Sequence, residues 1–174
     1  MKQIMMLAFA LTLIWQSSAQ AGEHYQPVSV APSADFDSLK KLAGTWEGVM
    51  FEKNGEKMPA KIQYKLTSGG SALVEILSPG DPHEMESIYF NRNGKLAMTH
   101  YCLLGNRPTL ALQSSGGQEY FLDLAEGSGI DALEPHMHSL KITMPDADTL
   151  RQEWTYYQNG QAQGLTTFEL KRVK

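Results

Sequence analysis

Ten short segments of alternating apolar and polar residues, separated by turns rich in Gly, Asn and Asp, constrain the fold more than any other feature. Alternation with a period of two predicts β-strands, and many short strands at near-regular spacing predict an all-β sandwich or barrel. The predicted strands are residues 45–51, 57–67, 71–77, 84–91, 94–103, 108–114, 118–124, 136–144, 149–157 and 163–172.

The connections between these strands fall into two classes. Every second connection is a short hairpin turn, and these read TSGGS, NRNGK, SSGGQ and PDADT. The others are mostly longer, and they read EKNGEK, SPGDPHE, LLGNRP, AEGSGIDALEP and QNGQAQG. In an up-and-down meander the two classes lie at opposite ends, which predicts one tightly closed end and one open end. Rigid scaffolds usually carry their binding residues on such longer loops.

One short helix precedes the strands, at residues 35–44. Asp35 or Asp37 is a candidate N-cap, apolar residues recur at three-residue spacing, and Gly44 is a stop signal. Because the first strand begins at the tight end, the helix is expected to close that end as a plug. The predicted fold class is a single antiparallel up-and-down β-barrel.

The first 21 residues have the features of a secretory signal peptide. A basic start is followed by about a dozen apolar residues, too few to span a bilayer, and the segment ends in an A-x-A pattern at Ala19 and Ala21. We expect cleavage after Ala21, a flexible leader at 22–34 and one barrel domain at 35–174. The mature protein is then expected in the periplasm or outside the cell, with no membrane insertion after cleavage.

Charge and cysteine content limit the partners. The formal net charge is −4, with no basic run, which argues against nucleic acid or an anionic membrane as a partner. The single cysteine, Cys102, excludes an intramolecular disulfide bond. Nothing in the sequence indicates an oligomeric state.

The stretch GTWEG at 44–48, following a short helix and opening a ten-stranded barrel, resembles the start of the calycin superfamily. That superfamily includes lipocalins and the nitrobindin-like and fatty-acid-binding barrels. The resemblance implies that Gly44 and Trp46 are structural, with Trp46 lying across the barrel base against the plug. The stretches SGGSALVE, PHEM, LAMTHYCLLGNRP and QEWT are also similar to an uncharacterised group of secreted bacterial calycin-like proteins, which implies a fold and no activity.

Histidines gather at the predicted open end. Alternation in strand 94–103 places His100 and Cys102 on an inward face. Alternation counted from Leu140 places His136 and His138 inward as well. Three interpretations stay open: rim residues that only form hydrogen bonds, polar contacts to a small molecule such as haem, or a zinc or copper site made by His100, Cys102, His136 and His138.

Other side chains are candidates for the same cavity. Gln152, Trp154 and Tyr156 share one face of their strand, as pocket lining or as core filling. Glu75 and Glu86 lie in apolar stretches, where a carboxylate inside a dry pocket would have a raised pKa. The alternative for both is a solvent-exposed strand face, and the sequence favours that alternative.

No nucleophile, phosphate-binding or dinucleotide-binding motif is present in the sequence. The leading hypothesis is therefore an exported, non-catalytic barrel that binds a small, largely apolar molecule through its open end. Its predicted ligand-binding residues are His100, His136, His138, Gln152, Trp154, Tyr156 and Glu86. The first alternative is a metal- or haem-binding protein or metal-dependent enzyme. The second is a structural or partner-binding barrel with a filled interior.

Overall fold

The computed structural model describes residues 31–174, so the predicted signal peptide and most of the predicted leader lie outside the described residues. The described part folds into one closed antiparallel barrel. Its strands are β1 (Gly44–Phe51), β2 (Lys57–Thr67), β3 (Ala72–Leu77), β4 (Met85–Arg92), β5 (Lys95–Tyr101), β6 (Thr109–Gly116), β7 (Glu119–Leu124), β8 (His136–Asp146), β9 (Thr149–Gln158) and β10 (Gln161–Arg172).

Each strand pairs with its neighbours in the chain, and β1 also pairs with β10, which closes the barrel. The predicted fold class is confirmed, and every predicted strand boundary agrees with the structure to within two residues. One predicted connection differs. The segment between β9 and β10 is a two-residue turn at Asn159 and Gly160, both with positive φ, because an Asn-Gly pair favours a type I′ hairpin.

A short helix, α1 (Ala34–Leu39), continues into a 3-10 turn at Lys40–Leu42. Its N-cap is Ser33, whose hydroxyl accepts a hydrogen bond from the Phe36 amide at 3.3 Å, and not Asp35 or Asp37 as predicted. The three apolar residues of the segment, Phe36, Leu39 and Leu42, are all buried. Within residues 31–174, no helix is long and apolar enough to cross a membrane.

The helical segment lies at the end of the barrel that carries the short hairpins, as the connections predict. There the Trp46 indole donates to the Leu42 carbonyl at 2.8 Å, and the Arg172 guanidinium stacks on the Trp46 ring at 4.2 Å. Arg172 also donates to the backbone carbonyls of Lys41 and Ala43. Gly44 has a φ of +131°, and a Cβ there would lie 3.0 Å from Arg172, so the start of β1 requires glycine.

Branched aliphatic residues fill the interior next to this closed end. Interdigitated side chains of this type specify one packing arrangement. Those with no exposed surface are Leu39, Ile62, Leu73, Leu96, Leu110, Leu122, Leu140, Ile142 and Leu150. The barrel is therefore not a hollow tube, and two clefts lie towards its ends.

Candidate functional site

A cavity of about 640 Å³ opens at the end of the barrel opposite the helix. Its walls come from the inward faces of the strands and from the loops β1–β2, β3–β4 and β5–β6. Methionine and aromatic side chains form much of the apolar lining: Met50, Met58, Met85, Met137, Tyr156 and Phe168. The charged and polar residues Glu52, Lys53, Asp81 and His83 also border the cavity. The volume lies in the range of small-molecule sites, and such sites are mostly apolar with a few placed polar groups.

His100 and Trp154 form the floor of this cavity. Both are buried, and their rings lie 4.8 Å apart between centroids. The His100 Nδ1 is 2.9 Å from the hydroxyl of Ser87, which is itself fully buried. Among the described residues, Nε2 of His100 has no hydrogen-bond partner. Burial lowers the pKa of His100 to about 4, so the floor presents a neutral imidazole.

A polar network lies beneath the floor, within the barrel. The buried Glu75 carboxylate accepts hydrogen bonds from the Tyr64 hydroxyl at 2.8 Å and the Tyr89 hydroxyl at 2.7 Å. It also accepts one from the Gln152 amide, whose oxygen accepts the Trp154 indole N–H at 3.0 Å. The network thereby fixes the orientation of the Trp154 ring from below.

The two candidate carboxylates lie in opposite environments. Glu75 is fully buried, and this burial raises its pKa, although hydrogen bonds from Gln152, Tyr89, Tyr64 and Ser87 oppose that effect. The expectation of an exposed face was therefore wrong for Glu75. Glu86 lies on the exposed outer face of β4, paired with the outward Tyr101, so the predicted contact of Glu86 with a ligand inside the barrel is not possible.

The predicted inward orientation of His136 and His138 is also wrong. A β-bulge between Met137 and Ser139 places two residues of β8 opposite one of β9, so the alternation counted from Leu140 fails at this point. Met137 lines the cavity opposite Tyr156, whereas His136 pairs with the outward Tyr157. Both histidines consequently lie on the outer face of the barrel.

On that outer face the two histidines take part in a cluster of their own. His136 Nε2 is 2.9 Å from His138 Nδ1, and the His138 ring stacks on Tyr157 at 3.7 Å. His138 Nε2 is 3.4 Å from the carboxylate of Asp123, and His136 Nδ1 is 2.7 Å from the Glu134 carbonyl. Desolvation lowers the pKa of His138, while Asp123 opposes that effect. These contacts connect β7, β8 and β9 on the outer face of the barrel.

The structure therefore brings together only part of the predicted site. His100, Cys102, Trp154 and Tyr156 line one cavity, and Gln152 lies just below them. The four predicted metal ligands do not converge, since two face inward and two outward. Within residues 31–174 there is no group of three or more His, Cys, Asp or Glu side chains arranged to hold a metal ion.

Several residues of the site were not predicted. Ser87 and Tyr89 lie on the same face of β4 as Met85, and Tyr64 lies on the same face of β2 as Ile62. Alternation alone therefore places these three residues inward. Their hydrogen bonds to His100 and Glu75 connect different strands and leave no mark in the sequence. Alternation also identifies Met50, Met58 and Met85 as inward positions near the open end, whereas Met137 faces inward only because of the bulge in β8.

A second cleft, of about 680 Å³, lies at the closed end beside Trp46 and Arg172. Two of its charged groups, Arg172 and Asp146, are already bonded within the chain. Arg172 binds backbone carbonyls, and Asp146 accepts hydrogen bonds from Thr149 and from the Asp148 amide. We therefore consider the open-end cavity, with its uncommitted imidazole nitrogen, the better candidate for a site.

Comparisons with known proteins support the fold and leave the function open. No protein-family model matches the chain. No curated protein matches it either. The chain is similar to the crystal structure of a protein of unknown function from the DUF3598 family of Nostoc punctiforme, with a TM-score of 0.54 and 16% identity over 88% of this chain. The match covers 53% of that protein, and at this identity the likeness is one of fold alone.

Proposed function

We propose that this protein is an exported, non-catalytic barrel that binds a small, largely apolar molecule in its open-end cavity. The observation that carries the proposal is the cavity of about 640 Å³ lined by methionine and aromatic side chains. Methionine is unbranched and polarisable, and it is common on surfaces that adapt to ligands of different shape. A barrel serving only as a scaffold would not need such a space.

The floor of the cavity narrows the class of ligand. Trp154 offers an apolar surface, and the Nε2 of a neutral His100 offers one polar contact. A ligand carrying a hydroxyl group at its inner end would satisfy that nitrogen, because a hydroxyl can donate or accept a hydrogen bond. A charged group would be disfavoured there, because the floor is desolvated and offers no opposite charge to an anion.

A matched pair of substitutions on β10 tests the proposal. Thr166 faces the cavity opposite Trp154, and the adjacent Leu165 is exposed on the outer face. We expect Thr166→Trp to fill the cavity and to weaken binding of the neutral fluorophore N-phenyl-1-naphthylamine by at least about tenfold, while Leu165→Trp leaves it unchanged. Equal binding by both variants, or no binding by the unmodified protein, would contradict the proposal.

The alternative of a haem- or metal-dependent catalyst loses its main support in the geometry. It relied on a cluster of His100, Cys102, His136 and His138, and the bulge in β8 places His136 and His138 on the opposite face of the barrel wall from His100 and Cys102. The alternative of a filled structural barrel fits the closed half and not the open half.

Export is part of the proposal and is supported by residues 1–21 alone. The expected product is a chain that begins at Gly22 and is recovered from the periplasm or the medium. Intact-mass measurement of the protein from each cell fraction decides the point. A full-length chain that stays in the cytoplasm would contradict export without affecting the cavity.

A calycin-like origin for the barrel is also proposed. Its support is the combination of the plug helix, the Gly44–Trp46 motif at the closed end and the ten-stranded meander.

A further inference from the structure

The open-end cavity contains an unusual concentration of soft donor atoms. Besides the thioethers of Met50, Met58, Met85 and Met137, the Cys102 thiol and the His100 imidazole line the same space. Thiol and thioether sulfur atoms favour Cu(I) over harder ions, and imidazole also binds copper. We propose that His100, Cys102 and Met85 form a Cu(I) site in the cavity wall.

Strand register places these three side chains next to one another. In the β4–β5 ladder, Ser87 pairs with His100 and Glu86 pairs with Tyr101. Glu86 and Tyr101 are the last pair of this ladder, Met85 and Cys102 are the next residues of the two chains, and both of these line the cavity. His100 and Cys102, two residues apart, face the same side, so the three donors border one patch of wall.

His100 has the features of a metal ligand whose orientation is already fixed. It is 2% exposed, its Nδ1 is held by the Ser87 hydroxyl at 2.9 Å, and its Nε2 is uncommitted among the described residues. Histidine ligands usually have their second nitrogen held by such an outer partner, which sets the tautomer and the ring orientation.

Cys102 lies just beyond the end of β5, with its side chain partly buried at the cavity. Burial raises the pKa of its thiol, and the backbone amides of Leu104 and Leu103 partly oppose that effect. Binding of Cu(I) replaces the thiol proton by a copper–sulfur bond and releases that proton to water, with no change in oxidation state.

The donor set also argues against a harder ion such as zinc. No carboxylate within residues 31–174 joins His100 and Cys102 in a group of three. Asp81 and His83, which also line the cavity, are already paired with each other at 2.9 Å. A third ligand from the same wall must then be a thioether, and Met85 is the one that the register places there.

The test is an anaerobic Cu(I) titration of the untagged protein against a chromogenic Cu(I) chelator. We expect about one equivalent of Cu(I) to be retained, and X-ray absorption to show both nitrogen and sulfur neighbours. Cys102→Ser and His100→Ala should abolish this retention, and Met85→Leu should weaken it at least tenfold. Ser87→Ala should weaken it by about 10–100-fold, the usual effect of losing an outer partner.

Matched controls distinguish this site from other donors of the chain. His136→Ala/His138→Ala and Met58→Leu should retain Cu(I) as the unmodified protein does. Retention by folded Cys102→Ser or His100→Ala protein, a spectrum without sulfur neighbours, or no retention by the unmodified protein would overturn the proposal. Fluorophore binding by metal-free protein is a separate measurement, so the copper site and the proposed apolar site can fail independently.

Discussion

The closed and open halves of the barrel are built from the same ten strands but from different side chains. In the closed half, leucine and isoleucine fill the interior, and Trp46 is held between the Leu42 carbonyl and the Arg172 guanidinium. In the open half, half-buried methionines and Tyr156 surround a cavity, and the connecting loops are longer.

This difference indicates that the two halves have different roles, one in stability and the other in ligand binding. Branched aliphatic side chains have few rotamers and specify a single packed arrangement, whereas methionine adapts to what it contacts. The network around Glu75 lies between the two regions and supports the floor from below. Stability should therefore depend mainly on the closed half, and ligand binding on the open half.

The largest expected effect is a loss of stability when a methionine is replaced by alanine in the packed interior, compared with the same replacement at the cavity. Met98 has no exposed surface, whereas Met58 borders the cavity. We expect Met98→Ala to lower the free energy of unfolding by about 2–5 kcal/mol, because a buried void remains. Met58→Ala should cost about 1 kcal/mol, because its side chain already borders open space. Urea denaturation of both variants checks this, and equal losses would contradict the different roles of the two halves.

The next effect is a pH dependence at the boundary between the regions. The pKa of His100 is about 4 in the folded protein, against an ordinary value of 6.5 for histidine, so the unfolded chain binds the extra proton between these pH values. The resulting stabilisation, roughly 3 kcal/mol, is present above pH 6.5 and is lost as the pH falls to about 4. His100→Gln should lack this dependence.

The measurement is denaturant unfolding of both proteins across that pH range, read as the difference between them. The difference between the two proteins is needed because Glu75 changes stability in the opposite direction. Its pKa is raised in the folded protein, so its contribution to the free energy of unfolding falls as the pH rises above 4.5. An identical pH dependence in the His100→Gln variant would show that the imidazole is not held neutral by burial.

A smaller effect is expected at the plug. Arg172→Met removes the stacking on Trp46 and the hydrogen bonds to the Lys41 and Ala43 carbonyls, and should cost about 1–3 kcal/mol. The neighbouring Lys171 is exposed, so Lys171→Met should change stability by about 0.5 kcal/mol or less. Thermal unfolding of the two variants provides the comparison.

The smallest effect concerns the histidines of the outer face. His138→Ala removes a stacked contact with Tyr157 from a partly exposed site and should cost about 1 kcal/mol. Fluorophore affinity should not change, because the side chain lies outside the cavity. A marked loss of affinity would mean that the β7–β8 loop contributes to the site.

The sequence predicted the fold better than the site, for a physical reason. Strand alternation and hairpin turns are local signals, and they located every strand and the closed end. Orientation by alternation holds only while the ladder is regular, so it succeeded for His100 and failed for His136 and His138, where β8 bulges. The orientation of Glu75 was ambiguous because β3 is apolar on both faces. Val74 and Ile76 face outward and are as apolar as the inward Leu73 and Leu77.

Contacts between distant strands were beyond prediction. The bonds from Tyr64, Tyr89 and Gln152 to Glu75 join four strands, and no spacing in the sequence encodes them. The cavity that the methionines line could not be predicted from the sequence either. Met50, Met58 and Met85 were identifiable as inward positions and Met137 was not, and only the closed barrel shows that these residues surround empty space.

A methyl-NMR titration of methionine-labelled protein with N-phenyl-1-naphthylamine is the most decisive test of a binding site at the open end. We expect the methyl signals of Met50, Met58, Met85 and Met137 to shift, since these side chains line the cavity. The signals of Met98, in the packed interior, and Met144, at the closed end, should stay in place. Shifts confined to Met144, or no shift in the cavity methionines, would contradict a binding site at the open end.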